Sequence, residues 1–332
     1  MRPDLLDFHA LLERLGVHLG WGEWFKLESY FTGVGIGFLL AVILIYRWAK
    51  RSGIDPVVMV DLWILMIIVG VFGARVLSVL ADGHFRDYLH LCTDPLEVDW
   101  PLTRKACLDG PLDGMWDPVR RVCHPAYVDC LAWAKFWKGG LTFYGGFVLA
   151  SVAGILFLWR SRVPVLAVVD ATGWCIPFGL AWGRIGCFFN GCCFGSVTSS
   201  PVGVVFPAAS QASHQQFEVG LLSSPALPSL PVHPTQIYEG LIALATAAVC
   251  YGIVEPRKRF HGQTFLVFVI LYAIGRFTEE FFRRDDRGGL AGLSTSQIIA
   301  LVTAAACLVL LLVALSRVRR NRDRSRSHAG DA

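Results

Sequence analysis

Long apolar stretches separated by short charged turns dominate the chain. Seven of them read as transmembrane helices: residues 30–48, 57–80, 141–159, 165–183, 237–254, 263–282 and 296–315. Each is near the ~20 residues that cross a hydrocarbon core as helix. The first carries Gly33, Gly35 and Gly37, small residues that let helices approach closely. Two intervening segments, 81–138 and 191–236, are too long for simple turns and are expected to form a small head over one face of the bundle. Before the first helix, Leu5, Phe8, Leu12 and Leu15 fall at helical spacing, so 1–27 reads either as a short amphipathic helix on the membrane surface or as a disordered tail. This segment lacks the clean apolar core of a cleavable signal peptide.

Composition agrees with this pattern. Of 332 residues, 54% are hydrophobic and only 17% charged, against about 25% charge in soluble domains. The fold class expected is an all-α polytopic membrane protein, with a transmembrane domain over 28–316 and a basic tail over 317–332. The net charge of +4 is concentrated in that tail, in Arg317, Arg319, Arg320, Arg322, Arg324 and Arg326. Beside a membrane helix such a tail marks the cytoplasmic side rather than a nucleic-acid partner.

Loop charge sets the orientation. Arg47, Lys50 and Arg51 follow the first helix, Arg160 and Arg162 the third, and Arg257, Lys258 and Arg259 the fifth. These groups and the tail share one side if the N-terminus is outside, and the positive-inside rule makes that side cytoplasmic. Arg283, Arg284 and Arg287 then fall outside, against the rule, which points to a use for them. The first outer segment carries Cys92, Cys107, Cys123 and Cys130. In an oxidising compartment these suggest two disulfides, in any of three connectivities.

With this topology, polar residues of six helices gather at one outer level: Tyr30, Arg75, Tyr144, Arg184, the group His233, Gln236, Tyr238 and Glu239, and the group Tyr272, Arg276 and Glu280. An ionisable group in a bilayer costs about 2.5–3.5 kcal/mol on insertion scales, so these residues face an interior or a cavity. Structural pairing, for example Arg276 with Glu280, explains any one pair. It explains less well three arginines, several tyrosines and a histidine at one depth. Tyr272, Arg276, Glu280 and Arg284, spaced by four, form a polar stripe on an apolar helix. Arginine's planar fork suits phosphate. At the outer leaflet the abundant phosphate carrier is lipid, so the stripe reads as part of a phospholipid head-group pocket.

Four segments look like motifs: Gly139 to Gly146 (GGLTFYGG), Gly183 to Gly195 (GRIGCFFNGCCFG), His233 to Glu239 (HPTQIYE) and Arg276 to Arg283 (RFTEEFFR). Each alone is weak. In this order and on this topology, together with Gly73-Ala74-Arg75 and Ser29-Tyr30, they resemble the bacterial prolipoprotein diacylglyceryl transferases over about residues 28–285.

The resemblance implies a seven-helix inner-membrane enzyme with a periplasmic N-terminus, a periplasmic head and a cytoplasmic C-terminus. Its substrates would be phosphatidylglycerol and the lipobox cysteine of a preprolipoprotein, with membrane lipids around it. A thioether would form and sn-glycerol 1-phosphate would leave, and neither metal nor other cofactor is implied. By resemblance Arg276, Tyr144, Glu280 and Tyr30 are catalytic candidates, and Arg184, Gly195, Asn190, His233 and Glu239 candidates for phosphatidylglycerol binding. The chain departs from the family where it has Tyr144 in place of the usual histidine, and Cys187 and Cys192 in place of Asn and Glu. The histidine is the usual candidate base, so Tyr144, Glu280 and Glu239 all stand as bases here. His233 reads as assisting proton transfer or as anchoring the fifth helix. Cys187, Cys192 and Cys193 read as small packing residues.

Two other readings fit parts of the sequence. A non-catalytic lipid-binding protein or transporter would also bury charges, but it would spread them through the bilayer. Here only Asp61 and Asp170 lie near the inner ends. Ten cysteines suggest a thiol–disulfide oxidoreductase, but there is no Cys-x-x-Cys.

Overall fold

The computed structural model describes residues 4–7, 26–81, 85–100, 102–108, 114–135, 141–283, 289–290 and 292–330. The described chain is mostly helical. In order it runs β1 (Asp4–Asp7), β2 (Lys26–Glu28), α1 (Ser29–Arg51), α2 (Pro56–Ala81), α3 (Phe85–Thr93), α4 (Arg104–Leu108), β3 (Gly114–Asp117), β4 (Val122–Pro125), α5 (Phe143–Arg160), α6 (Val165–Asn190), α7 (Gln211–Glu218), α8 (Thr235–Val249), α9 (Gln263–Glu279), β5 (Gly289–Leu290), β6 (Leu293–Ser294) and α10 (Thr295–Gly330). Every apolar stretch read from the sequence is helical. Five helices are long and apolar enough to cross a membrane: α1, α2, α6, α8 with its continuation to Arg257, and α10. The apolar part of α5, Tyr144–Arg160, is shorter, and α9 has 17 residues before a final 3-10 turn. This set fits a helical multi-pass membrane protein.

Two boundaries differ from expectation. Asp4–Asp7 is a strand, not a helix, and pairs antiparallel with Lys26–Glu28; the rest of the proposed surface segment lies outside the described residues. α6 does not stop at Gly183 but runs two further turns to Asn190, so Arg184 sits within the helix rather than at its end. Glycines on both helices form packing surface. A Cβ at Gly33 of α1 would lie 2.9 Å from the Cα of Gly186, and one at Gly37 would lie 2.8 Å from the carbonyl oxygen of Gly179. Two glycines four apart on α1 thus meet α6 backbone to backbone, as small-residue interfaces in membranes do.

The chain divides into two compact units, Ile54–Val163 and the remainder. In the first, α2 packs on α5, with Gly145 and Gly146 against the backbone of Gly73 and Gly70. The segment between them folds as α3, a 3-10 turn, α4 and the β3–β4 hairpin. Its cysteines pair as Cys92–Cys130 and Cys107–Cys123, one of the three connectivities. Arg75 ties this segment to α2. Its Nε donates to the Trp133 carbonyl at 2.6 Å, its Nη2 to that of Ala132 at 2.8 Å, and its guanidinium lies 5.2 Å from the Tyr88 ring centroid. In Cys107→Ser/Cys123→Ser the hairpin is expected to lose about 3 kcal/mol, the chain-entropy value for a loop of roughly 16 residues. Limited proteolysis between Asp117 and Val122 reads the loss; an unchanged cleavage rate contradicts it.

In the second unit, α6 is the central helix, packed on α1, α8 and α9. The end of the α6–α9 pair away from Arg184 is fixed by Asp170, which is fully buried. Its carboxylate accepts from the backbone N–H groups of Gly262, Thr264 and Phe265 at 2.9, 2.8 and 3.2 Å, and from Lys258 Nζ at 3.0 Å. Those N–H groups open α9, so a residue of another helix performs the capping that Gly262, the N-cap itself, cannot. Residues 196–233 pack Phe206, Ala212 and Val232 into a small apolar core with Phe188 at the end of α6.

Candidate active site

The last two turns of α6, the first turn of α8 and the last turns of α9 meet in one cluster of charged side chains. Arg184 Nη2 contacts Glu239 Oε1 at 2.8 Å, and Tyr272 OH donates to the same oxygen at 3.2 Å. Arg276 spans two carboxylates, with Nη1 3.4 Å from Glu279 Oε2 and Nη2 2.8 Å from Glu280 Oε2. Arg283 approaches Glu279 at 3.6 Å, and Ser294 Oγ donates to Glu280 Oε1 at 2.8 Å.

The burial within this cluster is uneven. The carboxylates of Glu239, Glu279 and Glu280 are 3%, 1% and 7% exposed, whereas the side chains of Arg184 and Arg276 are 21% and 17% exposed. Three glutamates therefore stand behind the two arginines, fix their forks and leave part of each guanidinium open. Arg184 Nε has no partner among the described residues. A buried guanidinium donor without an acceptor is costly, and a ligand oxygen at that position would remove the cost.

Around this centre the chain is tightly braced. Gly195 N–H donates to the His233 carbonyl at 2.8 Å, and Ser196 N–H to that of Phe282 at 2.8 Å. His233 Nδ1 lies 3.2 Å from Tyr238 OH, and its ring meets Phe282 edge-on at 5.1 Å. Gln236 Nε2 donates to the Cys192 carbonyl at 2.6 Å, and Thr235 Oγ1 to that of Cys193 at 2.8 Å. His233 thus anchors the start of α8. A Cβ on Gly195 would lie 2.5 Å from the Phe282 carbonyl oxygen and 2.9 Å from His233 Cβ, so backbone contact is what requires glycine there. Gly195→Ala is expected to cost about 1–3 kcal/mol by overpacking and to loosen the end of α9. A thermal unfolding midpoint equal to that of the unaltered protein contradicts this.

Of the residues singled out in the sequence, Arg184, His233, Glu239, Arg276 and Glu280 fall in or beside this cluster. Tyr30 lies within electrostatic reach of Arg184 and of Cys187, Cys192 and Cys193, and Asn190 ends α6. Tyr144, an exposed residue of α5, and Arg75 belong to the other unit. Arg284 and Arg287 lie outside the described residues. Glu279 was not singled out as a site residue, although its spacing of three from Arg276 was a readable sign. Arg283, whose position conflicts with the positive-inside rule, pairs with Glu279.

The chain is similar to known proteins. A family model described as prolipoprotein diacylglyceryl transferase matches residues 120–313. The chain belongs to the prolipoprotein diacylglyceryl transferase family. It is 27% identical over 279 residues to the phosphatidylglycerol–prolipoprotein diacylglyceryl transferase of Clostridium tetani, covering 84% of this chain and 89% of that protein. A second enzyme of that name from Clostridium perfringens is 28% identical over 284 residues, with the same coverage of both chains. The Paraburkholderia phymatum enzyme is 35% identical over 206 residues, 56% of this chain and 67% of that protein. The matched region of this diacylglyceryl transferase relative includes α5, α6, α8 and α9, and with them the whole charged cluster.

Proposed function

We propose that this protein transfers the diacylglyceryl group of phosphatidylglycerol to the lipobox cysteine thiol of preprolipoproteins. The observation that carries this reading is the pair Arg184 and Arg276, each backed by buried glutamates and each part-open. The substrate thiol gives up its proton and attacks the glyceryl carbon bonded to the phosphate oxygen. The carbon–sulfur bond forms as the carbon–oxygen bond breaks, and sn-glycerol 1-phosphate leaves. Charge grows on the departing phosphate, and preorganised guanidinium groups in a water-poor site stabilise it more than they stabilise the intact diester. The buried glutamates keep the forks aligned, so binding an anionic head group needs little rearrangement.

A free thiol has a pKa of about 8.5, so little of it is thiolate at neutral pH. Lowering that value by one or two units takes about 1.4–2.7 kcal/mol, which a neighbouring arginine supplies. Glu239 is held by both Arg184 and Tyr272, and Glu280 by Arg276 and Ser294. Both carboxylates are therefore held for positioning, and Tyr144 stands as a candidate proton acceptor on the family resemblance alone. A pH–rate profile of Tyr144→Phe tests this. The expected result is a loss of about 100-fold or more in kcat with the alkaline limb of the profile changed. A raised KM on an unchanged profile makes Tyr144 a lipid-orienting residue instead.

The reading includes an inner-membrane protein of seven spans, with the N-terminus and a two-segment head in the periplasm and the C-terminus in the cytoplasm. Basic residues after α1, α5 and α8 and in the tail support it. So do the two disulfides in the segment between α2 and α5, which belong in an oxidising compartment. In bacteria depleted of their own transferase, expression of this chain is expected to restore lipidation of a reporter lipoprotein. If the reporter stays unmodified while the protein accumulates in the membrane, the proposed function is wrong.

A further inference from the structure

Where α6 ends, the chain turns back on itself and brings three thiols together. Gly191 takes the left-handed conformation at φ 73°, and Cys192 N–H closes the turn on the Cys187 carbonyl at 3.2 Å. Cys193 follows at φ 61°, a conformation that a non-glycine residue adopts at a cost. The result is that the sulfurs of Cys187, Cys192 and Cys193 all lie within 4.8 Å of one another. Hydrogen bonds from Gln236 to the Cys192 carbonyl and from Thr235 to that of Cys193 hold the backbone here, and the Cys192 thiol donates to the Cys187 carbonyl at 3.6 Å. Small packing residues, the reading from sequence, need no such convergence.

We propose that Cys187, Cys192 and Cys193 form a three-thiolate site for a soft, closed-shell metal ion of the Cu(I) type. Thiolates select such ions. With a metal–sulfur bond of about 2.3 Å, a trigonal site needs sulfurs about 4 Å apart, so the thiols close in by under about 1 Å. No fourth protein ligand is offered by the described His, Cys, Asp and Glu residues, which suits trigonal Cu(I) better than tetrahedral zinc. Cys187 is buried, Cys192 part-buried and Cys193 exposed, which gives the ion a way in. Arg184 acts electrostatically on Cys187 and Cys193, and its charge offsets the excess negative charge of three thiolates on one monovalent ion. Binding releases the thiol protons to solvent and moves no electrons.

The site stands or falls separately from the proposed transferase activity, because its test reads metal binding alone. The full-length protein, purified in detergent without reductant so that its disulfides persist, is titrated anaerobically with Cu(I) against a chromophoric Cu(I) chelator of micromolar affinity. The expected result is one Cu(I) per chain withdrawn from the chelator, with maleimide labelling of Cys193 suppressed. Cys175→Ser/Cys250→Ser/Cys307→Ser, which removes the other free thiols, is expected to bind alike. Cys193→Ser, at the exposed position, is expected to weaken binding at least tenfold, and the triple change of Cys187, Cys192 and Cys193 to serine to abolish it with helical content unchanged. No stoichiometric binding by the unaltered protein overturns the proposal, as does binding that survives the triple change. If the triple variant fails to fold, Cys193→Ser decides: undiminished affinity there also overturns it.

Discussion

Arg276→Lys is expected to lower the rate of diacylglyceryl transfer about 100-fold or more, with the protein still inserted and folded. One guanidinium here spans Glu279 and Glu280 with two different nitrogens. An ammonium is a compact point charge and cannot hold both carboxylates and also present a planar pair of donors to phosphate. Arg184→Lys is expected to behave alike, because the Nη2 contact to Glu239 and the unpartnered Nε belong to the same plane. The loss should fall mainly in kcat, since charge on the leaving phosphate is larger in the transition state than in the bound lipid. A change confined to KM would mean that the arginines bind lipid without assisting its cleavage. Purification yield and helical content, unchanged in both variants, separate this effect from misfolding.

Asp170→Ala is expected to be the most damaging single change to the fold, at about 3–5 kcal/mol, the range for removing one partner of a buried ion pair. The carboxylate is fully buried and serves Lys258 and three N–H groups at the start of α9. Its removal strands the three N–H groups and leaves Lys258 with one carboxylate instead of two. Glu255 still accepts from Lys258 at 2.8 Å and from Thr264 Oγ1 at 2.7 Å, so part of the network survives. Asp170→Asn should cost less, because an amide oxygen still accepts from the backbone. Because α9 carries Tyr272 and Arg276, Asp170→Ala should also reduce activity from the far end of that helix. Thermal unfolding in detergent measures the first effect, and equal midpoints for Asp170→Ala and Asp170→Asn would contradict the capping role.

The helices were legible because hydropathy has only two common solutions in this range, and seven apolar runs with basic turns leave little choice. Helix ends were less legible. Gly179 and Gly186 look like breakers in a sequence, and only the facing Gly37 and Gly33 reveal them as an interface. That Arg184, Glu239, Tyr272, Arg276 and Glu280 gather together could be read from hydropathy and loop charge, which put them at one level before any contact was known. The pairing among them could not. Arg276 has acidic residues both three and four positions on, and spacing alone does not say that it takes both. Nor does it reveal that Glu239, on a different helix, holds Arg184. Asp170 was visible as an intramembrane charge, but its work on the N-terminus of α9 depends on a crossing of helices more than 90 residues apart in sequence. The disulfide connectivity was equally closed to sequence, since four cysteines allow three pairings.

The central claim is that the braced arginines serve a transfer from lipid to thiol. The most direct measurement supplies the purified protein with phosphatidylglycerol and a lipobox peptide containing one cysteine. The account predicts release of glycerol phosphate in step with a diacylglyceryl mass gain on the peptide, lost when the cysteine is replaced by serine. Lipid binding with neither glycerol phosphate release nor a mass gain would contradict it, and would leave a lipid-binding protein or transporter as the better description.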